Sequence, residues 1–289
     1  MQKQNRLIYF LLSLPAFVLY SVFFIYPLMN GFIYSLQDWN GVGRDKDFVG
    51  ISNYITLFSD IRVRNTLSFT LRYTIALLVG TIVLSITIAL LLDSIIKARG
   101  FFRTMYFMPA VLSTLTVGLI WNQLFSNALP QFGRLIGSES LSSNVLGDVK
   151  LAFWAVVFTA LWQGLATNVL LFLSALQNIP KDLIEAAGLD GANKRQIFFR
   201  IKLPFIIPTL NIVIILTAKN GLMAFDNIFA LTSGGPARTT ESIGMLIYKF
   251  AFEEFKYSYS SALAILIFVI IGILTIIQLR TSERYEVKA

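Results

Sequence analysis

Six long apolar stretches, separated by shorter polar segments, dominate the pattern of hydrophobic positions along the chain. In five of them a core free of Asp, Glu, Lys and Arg has 20 or more residues, enough for a helix to cross a hydrocarbon core of about 30 Å. Such runs lack the alternation of barrel strands, so helices are expected. The predicted spans are residues 7–27, 67–92, 104–125, 151–176, 203–222 and 257–280. The sequence therefore predicts an all-α integral membrane protein, with six transmembrane helices in a single domain over residues 1–289.

Basic residues are unevenly distributed between the spans. If the N-terminus is cytoplasmic, the inside segments hold 13 Lys and Arg in 53 residues and the outside segments hold 11 in 109. Because cytoplasmic loops are enriched in Lys and Arg, we expect a multi-pass protein of the cell membrane with both termini in the cytoplasm. The net charge of +8 fits this asymmetry. A nucleic-acid partner is not expected, because the chain has no cluster of basic residues with interleaved aromatic residues. The first span is interpreted as retained, because it is too long for a signal peptide.

The chain lacks two residue types and two motifs that many enzymes use. It has no His and no Cys, which excludes His-based triads, His zinc motifs and thiol chemistry. It also lacks the Gly-x4-Gly-Lys-Ser/Thr phosphate loop and the Gly-x-Gly-x-x-Gly dinucleotide motif. No acidic residue lies inside the spans, where proton-driven carriers place theirs. We therefore expect no enzyme activity, no cofactor and no metal in this chain, and any energy for transport has to come from a partner.

Residues 177–202, between the fourth and fifth spans, carry a helical pattern of their own. Pro180 suits a first helical position, and Asp182 lies in the first turn, where the helix dipole favours negative charge. Gly191 permits a backbone turn, and a second short helix is predicted over residues 194–199. Helices this short do not cross a bilayer, so a compact knob on the cytoplasmic surface is expected.

The same segment resembles the EAA motif of the permeases of ATP-binding-cassette importers. The residues that carry the resemblance, at the spacings of the motif, are Glu185, Ala186, Ala187, Gly191, Ile201, Leu203 and Pro204. In that family this segment, called the coupling loop, docks into a cleft of the ATPase subunit and transmits its movement. The resemblance implies that Glu185 makes a polar contact with the ATPase and that the two alanines permit close approach. It also adds Asp190, which would brace the turn at Gly191, and Ala192.

Two further segments are similar to the binding-protein-dependent carbohydrate permeases of the maltose type. One is residues 231–236, Leu-Thr-Ser-Gly-Gly-Pro, followed by Thr-Thr-Glu at 239–241. The other is the opening, with Leu-Pro-Ala at 14–16, Tyr-Pro at 26–27 and Asp-Trp-Asn-Gly at 38–41. The similarity covers nearly the whole chain and implies a sugar as cargo, with an oligosaccharide expected. The extra N-terminal spans and large external domain of the maltose permease are absent from this sequence, which argues against maltose itself.

Polar residues on the fourth and fifth spans form the predicted cargo site. A sugar presents hydroxyls and apolar ring faces, so its site needs polar side chains beside aromatic rings. Transporters build such sites at short or interrupted spans, and the fifth span is short and contains prolines. The resemblance to the maltose-type permeases implies contacts at Gln163, Gly164, Thr167, Thr217, Gly221 and Ala224, and the polar residues of the same segments add Asn168, Asn220 and Asp226. Equally open is an interpretation in which Gln163, Thr167 and Asn168 only join helices through hydrogen bonds.

A chain of six helices without an internal repeat provides one half of an alternating-access pathway. The family resemblance implies a second homologous permease subunit, a cytoplasmic ATPase dimer and an extracytoplasmic sugar-binding protein as partners, with membrane lipid around the spans. The alternative cargo is glycerol phosphate or a polyol, and an anionic cargo would use Lys219, Arg238 and Arg72 as counter-charges. A third hypothesis, an ATP-independent channel or scaffold, requires the EAA spacing to be a coincidence.

Overall fold

The computed structural model describes residues 12–94, 104, 107–138 and 142–282. The helices are α1, Leu12–Ser35; α2, Ser52–Ser59; α3, Ile61–Ser94; α4, residues 114–135; α5, Val149–Gln177; α6, Lys181–Leu189; α7, Lys194–Leu222; α8, Asp226–Thr232; α9, Ile243–Tyr248; and α10, Tyr257–Ser282. Residues 107–111 are also helical, Val145–Gly147 form a 3-10 turn, and a π-helical turn, Lys249–Glu253, follows α9. Strands β1, Gln37–Asp38, and β2, Asp47–Phe48, pair antiparallel.

Within the described residues, α1, α3, α5, α7 and α10 are long and apolar enough to cross a membrane. They correspond to five of the six predicted spans, and the all-α membrane fold is confirmed. Several helices extend past the predicted ends, because hydropathy marks the apolar part of a helix and a helix continues as long as its backbone bonds do. Residues 7–11 of the first predicted span and 105–106 of the third lie outside the described residues.

The prediction of one continuous helix over residues 104–125 is wrong. Helical residues 107–111 are followed by a break at Leu112 and Ser113, and α4 then continues to residue 135. Ser113 is extended (φ −61°, ψ 136°), and its carbonyl accepts the N–H of Val117 at 2.9 Å as the N-cap of α4. The Leu112 carbonyl accepts Nε2 of Gln163 at 2.9 Å, which satisfies a polar group that the break exposes.

The fifth span also differs from its prediction, which placed a short helix after a separate helix at 194–199. In the structure α7 is one helix of 29 residues from Lys194 to Leu222. Pro204 has no N–H to donate, and a π-helical turn, Phe198–Lys202, precedes it. In this turn the N–H of Leu203 bonds to the carbonyl of Phe198, so the helix continues past the proline.

Contacts divide the chain into two compact units, whereas the sequence predicted a single domain. Unit 1 comprises Met1–Val63 and Leu246–Ile270, and unit 2 comprises Arg64–Met245 and Ile271–Ala289. Hydropathy identifies the spans but carries no information about which of them touch, so this division was not predictable from the pattern.

Unit 1 brings the β1–β2 hairpin to the start of α10. The ring centroid of Trp39 lies 5.2 Å from that of Tyr257 in an edge-to-face arrangement. Near the same end of α10, Arg62 forms an ion pair with Glu254. Partial burial by itself raises the pKa of Glu254, but hydrogen bonds from Lys256 and Arg62 outweigh it, so the pKa lies below its ordinary value. The carboxylate is therefore held in its charged form.

Two clusters of buried apolar side chains lie in the part of unit 2 that the structure describes. One includes Tyr73, Val156 and Ile228, and the other includes Phe172 and Ile206. The buried threonine and serine residues of α3 are Thr66, Thr70, Thr74, Thr81 and Ser85. Several of them donate to the carbonyl four residues earlier in the same helix, which satisfies the hydroxyl inside an apolar environment.

Candidate functional site

A cavity of about 430 Å³ lies inside unit 2, where α7 ends and the chain turns into α8. Its volume falls in the range of roughly 300–1,000 Å³ that is usual for small-molecule sites. The lining residues are Tyr73, Leu77 and Thr81 of α3; Ala110 and Thr114 beside the break before α4; Ala160, Gln163, Gly164, Thr167 and Asn168 of α5; Thr217 and Asn220 of α7; Met223, Ala224 and Phe225 of the turn that follows; and Asp226 and Asn227 of α8. Segments far apart in the chain therefore build one cavity.

The structure places eight of the nine predicted cargo contacts in the lining of this cavity. They are Gln163, Gly164, Thr167, Asn168, Thr217, Asn220, Ala224 and Asp226. Gly221 is not among the lining residues. A Cβ on it would come within 2.7 Å of Oγ1 and 3.0 Å of Cα of Thr74. Gly221 is thus the position at which α7 approaches α3. Contact between the other eight residues and a cargo stays a prediction.

The cavity offers polar groups of several kinds beside two aromatic rings. The amides belong to Gln163, Asn168, Asn220 and Asn227, the threonine hydroxyls to Thr81, Thr114, Thr167 and Thr217, the carboxylate to Asp226, and the rings to Tyr73 and Phe225. In the part of the chain that the structure describes, no Lys or Arg lines the cavity. This combination suits an uncharged molecule with many hydroxyls and an apolar face.

Two of the predicted contacts already use their amide groups within the protein. Nε2 of Gln163 donates to the Leu112 carbonyl, 51 residues away, and so joins α5 to the break before α4. Nδ2 of Asn168 donates to the carbonyl of Gly164 at 2.9 Å, within α5. The bond at Gln163 therefore supports the interpretation in which this residue joins helices. The bond at Asn168 lies within one helix and joins nothing.

Four lining residues with polar groups were missed by the sequence analysis: Tyr73, Thr81, Thr114 and Asn227. Tyr73 is 2% exposed and lies in an apolar run, where the sequence offers no signal that separates a cavity residue from a core residue. Asn227 follows the predicted contact Asp226 directly. Its place in the polar stretch after the fifth span was a usable signal.

The counter-charges expected for an anionic cargo lie away from the cavity lining. Lys219, Arg238 and Arg72 are all exposed, and none belongs to the residues that line the cavity. The guanidinium of Arg72 donates through Nε to the carbonyl of Ser68 at 3.2 Å, on its own helix. The cavity thus has no cationic group of the kind that holds a phosphate.

The coupling loop, residues 177–202, forms a helix, a tight turn and the first turns of α7. Pro180 is the N-cap of α6 instead of its first residue, and Gly191 follows the helix at φ +79°. The N–H of Gly191 bonds to the carbonyl of Gly188 at 3.1 Å, and that of Ala192 to the carbonyl of Ala187 at 2.9 Å. This pair of bonds is the Schellman termination, which favours glycine at the position with positive φ.

Backbone groups alone close this turn among the described residues. Asp190, which the resemblance assigned to bracing the turn, is the C-cap, and its N–H bonds to the carbonyl of Ala186 at 3.0 Å. The structure gives no bond from its carboxylate within the turn. Asn193 then opens α7 with a capping box, in which it exchanges side-chain and backbone bonds of 2.8 and 2.9 Å with Gln196. The sequence analysis had not identified this cap.

Much of the EAA segment faces away from the protein. Glu185, Ala186, Asp190 and Gly191 are exposed, and Leu189, which was not among the predicted coupling residues, is 91% exposed. Ile201 and Leu203 instead pack against the second buried cluster of unit 2. A hollow of about 390 Å³ lies beside the turn, lined by Ala187, Asp190, Gly191, Ala192, Gln196, Ile197, Arg200 and Ile201. The exposed apolar side chain of Leu189 next to this hollow is suited to docking against another protein.

Comparison with known proteins relates the chain to transport permeases. A family described as binding-protein-dependent transport system inner membrane component matches residues 81–285. The chain is 45% identical over 270 residues to the multiple sugar-binding transport system permease protein MsmF of Streptococcus mutans serotype c, which covers 93% of each chain. It is 29% identical over 281 residues to the sn-glycerol-3-phosphate transport system permease protein UgpA of Agrobacterium fabrum, covering 97% of this chain and 96% of the relative.

A solved structure has the same fold. It is a crystal structure of a bacterial ABC transporter involved in the import of the acidic polysaccharide alginate. One of its chains is 21% identical to this chain, with a TM-score of 0.84, and the match covers 98% of this chain and 96% of that chain.

Proposed function

The chain belongs to the family of binding-protein-dependent transport system inner membrane components, and on that premise we propose that it carries an uncharged oligosaccharide through the cavity in unit 2. It is a permease subunit of an ATP-binding-cassette importer. The cargo would move inward across the cell membrane by alternating access, with both termini of the chain in the cytoplasm.

The chemistry of the cavity carries this proposal. Four amides, four threonine hydroxyls and one carboxylate surround it, together with the rings of Tyr73 and Phe225. Sugar hydroxyls donate and accept hydrogen bonds, and the C–H faces of sugar rings pack on aromatic side chains. The relative with 45% identity is named for the transport of multiple sugars, which supports the same class of cargo.

An anionic cargo is the second candidate, because the relative with 29% identity is named for sn-glycerol-3-phosphate. A buried phosphate needs cationic or multiple N–H partners. Among the described residues the only charged side chain in the lining is Asp226, which would repel an anion. The lining therefore favours the uncharged sugar.

The partners of the proposed importer are an ATPase dimer, a second homologous permease subunit and an extracytoplasmic sugar-binding protein. The exposed coupling loop supports the first of these. Glu185 and Leu189 face away from the protein, and the hollow beside Gly191 leaves space for a side chain of the ATPase. A movement of the ATPase at this loop would pass directly into α7, because the loop and α7 share an uninterrupted helix from Lys194.

The test is purification of the tagged chain from its native membranes, followed by identification of the accompanying proteins and reconstitution in vesicles. Uptake of maltose, maltotriose, cellobiose and sucrose is measured with ATP, and sn-glycerol-3-phosphate is supplied as a competitor and as a cargo. We expect an oligosaccharide to accumulate in proportion to ATP hydrolysis, and an excess of sn-glycerol-3-phosphate to leave that uptake unchanged.

Two other results would contradict the proposal in different ways. Accumulation of sn-glycerol-3-phosphate without any sugar would contradict the proposed cargo but agree with the importer function. Recovery of the chain alone, without ATP hydrolysis, under conditions that preserve other membrane complexes would favour a channel or a scaffold.

A further inference from the structure

Asn227 differs from the other amides of the cavity in its burial and its bonding. It is 6% exposed, and both its Oδ1 and its Nδ2 lack a hydrogen-bond partner among the described residues. The hydroxyl of Tyr73 lies close to this amide, but outside hydrogen-bond geometry. An amide buried without a partner is unfavourable, so a native protein that retains one has a reason for it.

The backbone around Asn227 is held in place from outside the cavity. Gly118 of α4 approaches α8 so closely that a Cβ on it would come within 2.6 Å of the Ala230 Cβ and 3.2 Å of the Asn227 carbonyl oxygen. One turn further along, Nδ2 of Asn122 donates to the Leu231 carbonyl at 2.6 Å. These contacts hold the backbone of α8 close against α4.

The remaining cavity amides do not combine these properties. Gln163 and Asn168 donate to backbone carbonyls of the protein, and Asn220 is exposed. Asn227 therefore offers a buried donor and a buried acceptor about two bonds apart, next to the ring of Phe225. A primary amide of this kind pairs with two neighbouring hydroxyls, because each hydroxyl either donates to Oδ1 or accepts from Nδ2.

We propose that Asn227 is a specificity-determining residue of the cavity, which binds two neighbouring hydroxyls of an uncharged sugar and so rejects sugars that lack one of them. This inference rests on the proposed function. The family resemblance does not assign this position, since the contacts that it implies end at Ala224, between α7 and α8. The selectivity arises because a sugar without the hydroxyl leaves the buried amide unpaired, which costs more than the loss of an exposed contact.

The experiment measures uptake by the reconstituted complex for the oligosaccharide that the wild-type complex carries and for its set of monodeoxy analogues. The variants are Asn227→Leu, which has a similar volume without polar atoms, and Asn227→Ala, which favours the helix of α8. The matched control is Asn127→Leu, because Asn127 is exposed on α4 and lies outside the cavity lining. The Tm of each purified complex is recorded to separate recognition from folding.

The wild-type complex is expected to discriminate by about 10- to 100-fold against one or two analogues that lack neighbouring hydroxyls, as the loss of one or two hydrogen bonds predicts. In both Asn227 variants this discrimination should fall to within about 3-fold, while discrimination at other hydroxyls persists. The Asn227→Leu complex should melt no lower than wild type, because an unpaired buried amide has been removed. The control should keep the wild-type profile.

A deoxy-analogue profile that is the same in the wild-type complex and the Asn227 variants would overturn the inference, whatever the total uptake. A Tm that falls in both variants with an unchanged profile would assign Asn227 a structural role. A wild-type complex that carries sn-glycerol-3-phosphate and none of the sugars would instead refute the proposed function on which the inference rests.

Discussion

The coupling loop and the cavity differ in how far apart along the chain their residues lie. The turn of the coupling loop is closed by backbone bonds that span at most five residues, such as the bond from Ala192 to Ala187. The cavity draws its lining from residues between Tyr73 and Asn227, on four separate segments. A motif at fixed spacing therefore identifies the first region, whereas the second exists only after the helices have packed.

The largest effect is expected from Gly191→Pro in the coupling loop. Gly191 has φ +79°, and proline holds φ near −65°, so the Schellman termination is lost and the knob points elsewhere. Uptake should be abolished, and ATP hydrolysis should no longer respond to cargo. The control is Gly188→Ala, because a Cβ on Gly188 meets nothing within 4 Å. Normal uptake by the proline variant would remove the coupling role from this turn.

A charge reversal at Glu185 tests the same region without altering its backbone. Glu185 is exposed on α6, so Glu185→Lys should leave the fold intact and place a positive charge where the ATPase is expected to contact the loop. We expect transport to fall at least 10-fold through weaker assembly with the ATPase. Two like charges placed against each other at an interface cost several kcal/mol. Co-purification of the ATPase with the tagged variant measures this directly. Wild-type recovery together with wild-type uptake would contradict the prediction.

Gly221 and Gly164 allow the effect of helix packing to be separated from the effect of lining the cavity. A Cβ at Gly221 would lie 2.7 Å from Thr74 Oγ1, whereas one at Gly164 would have nothing within 4 Å. Gly221→Ala should destabilise the complex by about 1–3 kcal/mol through overpacking. Gly164→Ala should not lower stability, because alanine favours a helix interior by about 0.5–1 kcal/mol over glycine; its effect should appear in the KM for uptake. Equal Tm values for both variants would contradict the close approach of α7 to α3.

The smallest effect is expected from Asn193→Ala at the start of α7. The change removes the capping box with Gln196, and the loss of an N-cap costs about 1 kcal/mol. Hydrogen exchange of the amides at 194–197 should accelerate by about 5-fold, with little change in uptake. Asn178→Ala is the matched control, since the backbone N–H of Asn178, and not its side chain, closes the end of α5. Unchanged exchange in Asn193→Ala would show that packing alone holds this end of α7.

The predictions from sequence differ from the structure where a distant neighbour or a local irregularity of a helix decides the outcome. The break before α4 lies inside an apolar run, and its exposed carbonyl is satisfied by Gln163, which is 51 residues away. A helix at 194–199 and a span from residue 203 were predicted as separate elements, whereas the π-helical turn before Pro204 joins them in one helix. Gly221, which the resemblance implied as a cargo contact, lies against Thr74 outside the cavity lining, and residue type does not reveal such a close approach.

Three features could be predicted from the residues alone: a helical membrane protein, the positions of most of its spans, and the position of the turn in the coupling loop. These features depend on hydropathy and on bonds between residues a few positions apart, and both can be read along the chain. The set of polar residues around the cavity, the packing of Gly221 against Thr74 and the burial of the unpartnered Asn227 amide follow from the way the helices pack. Such properties depend on which helices meet and at what distance, and periodicity carries no record of that.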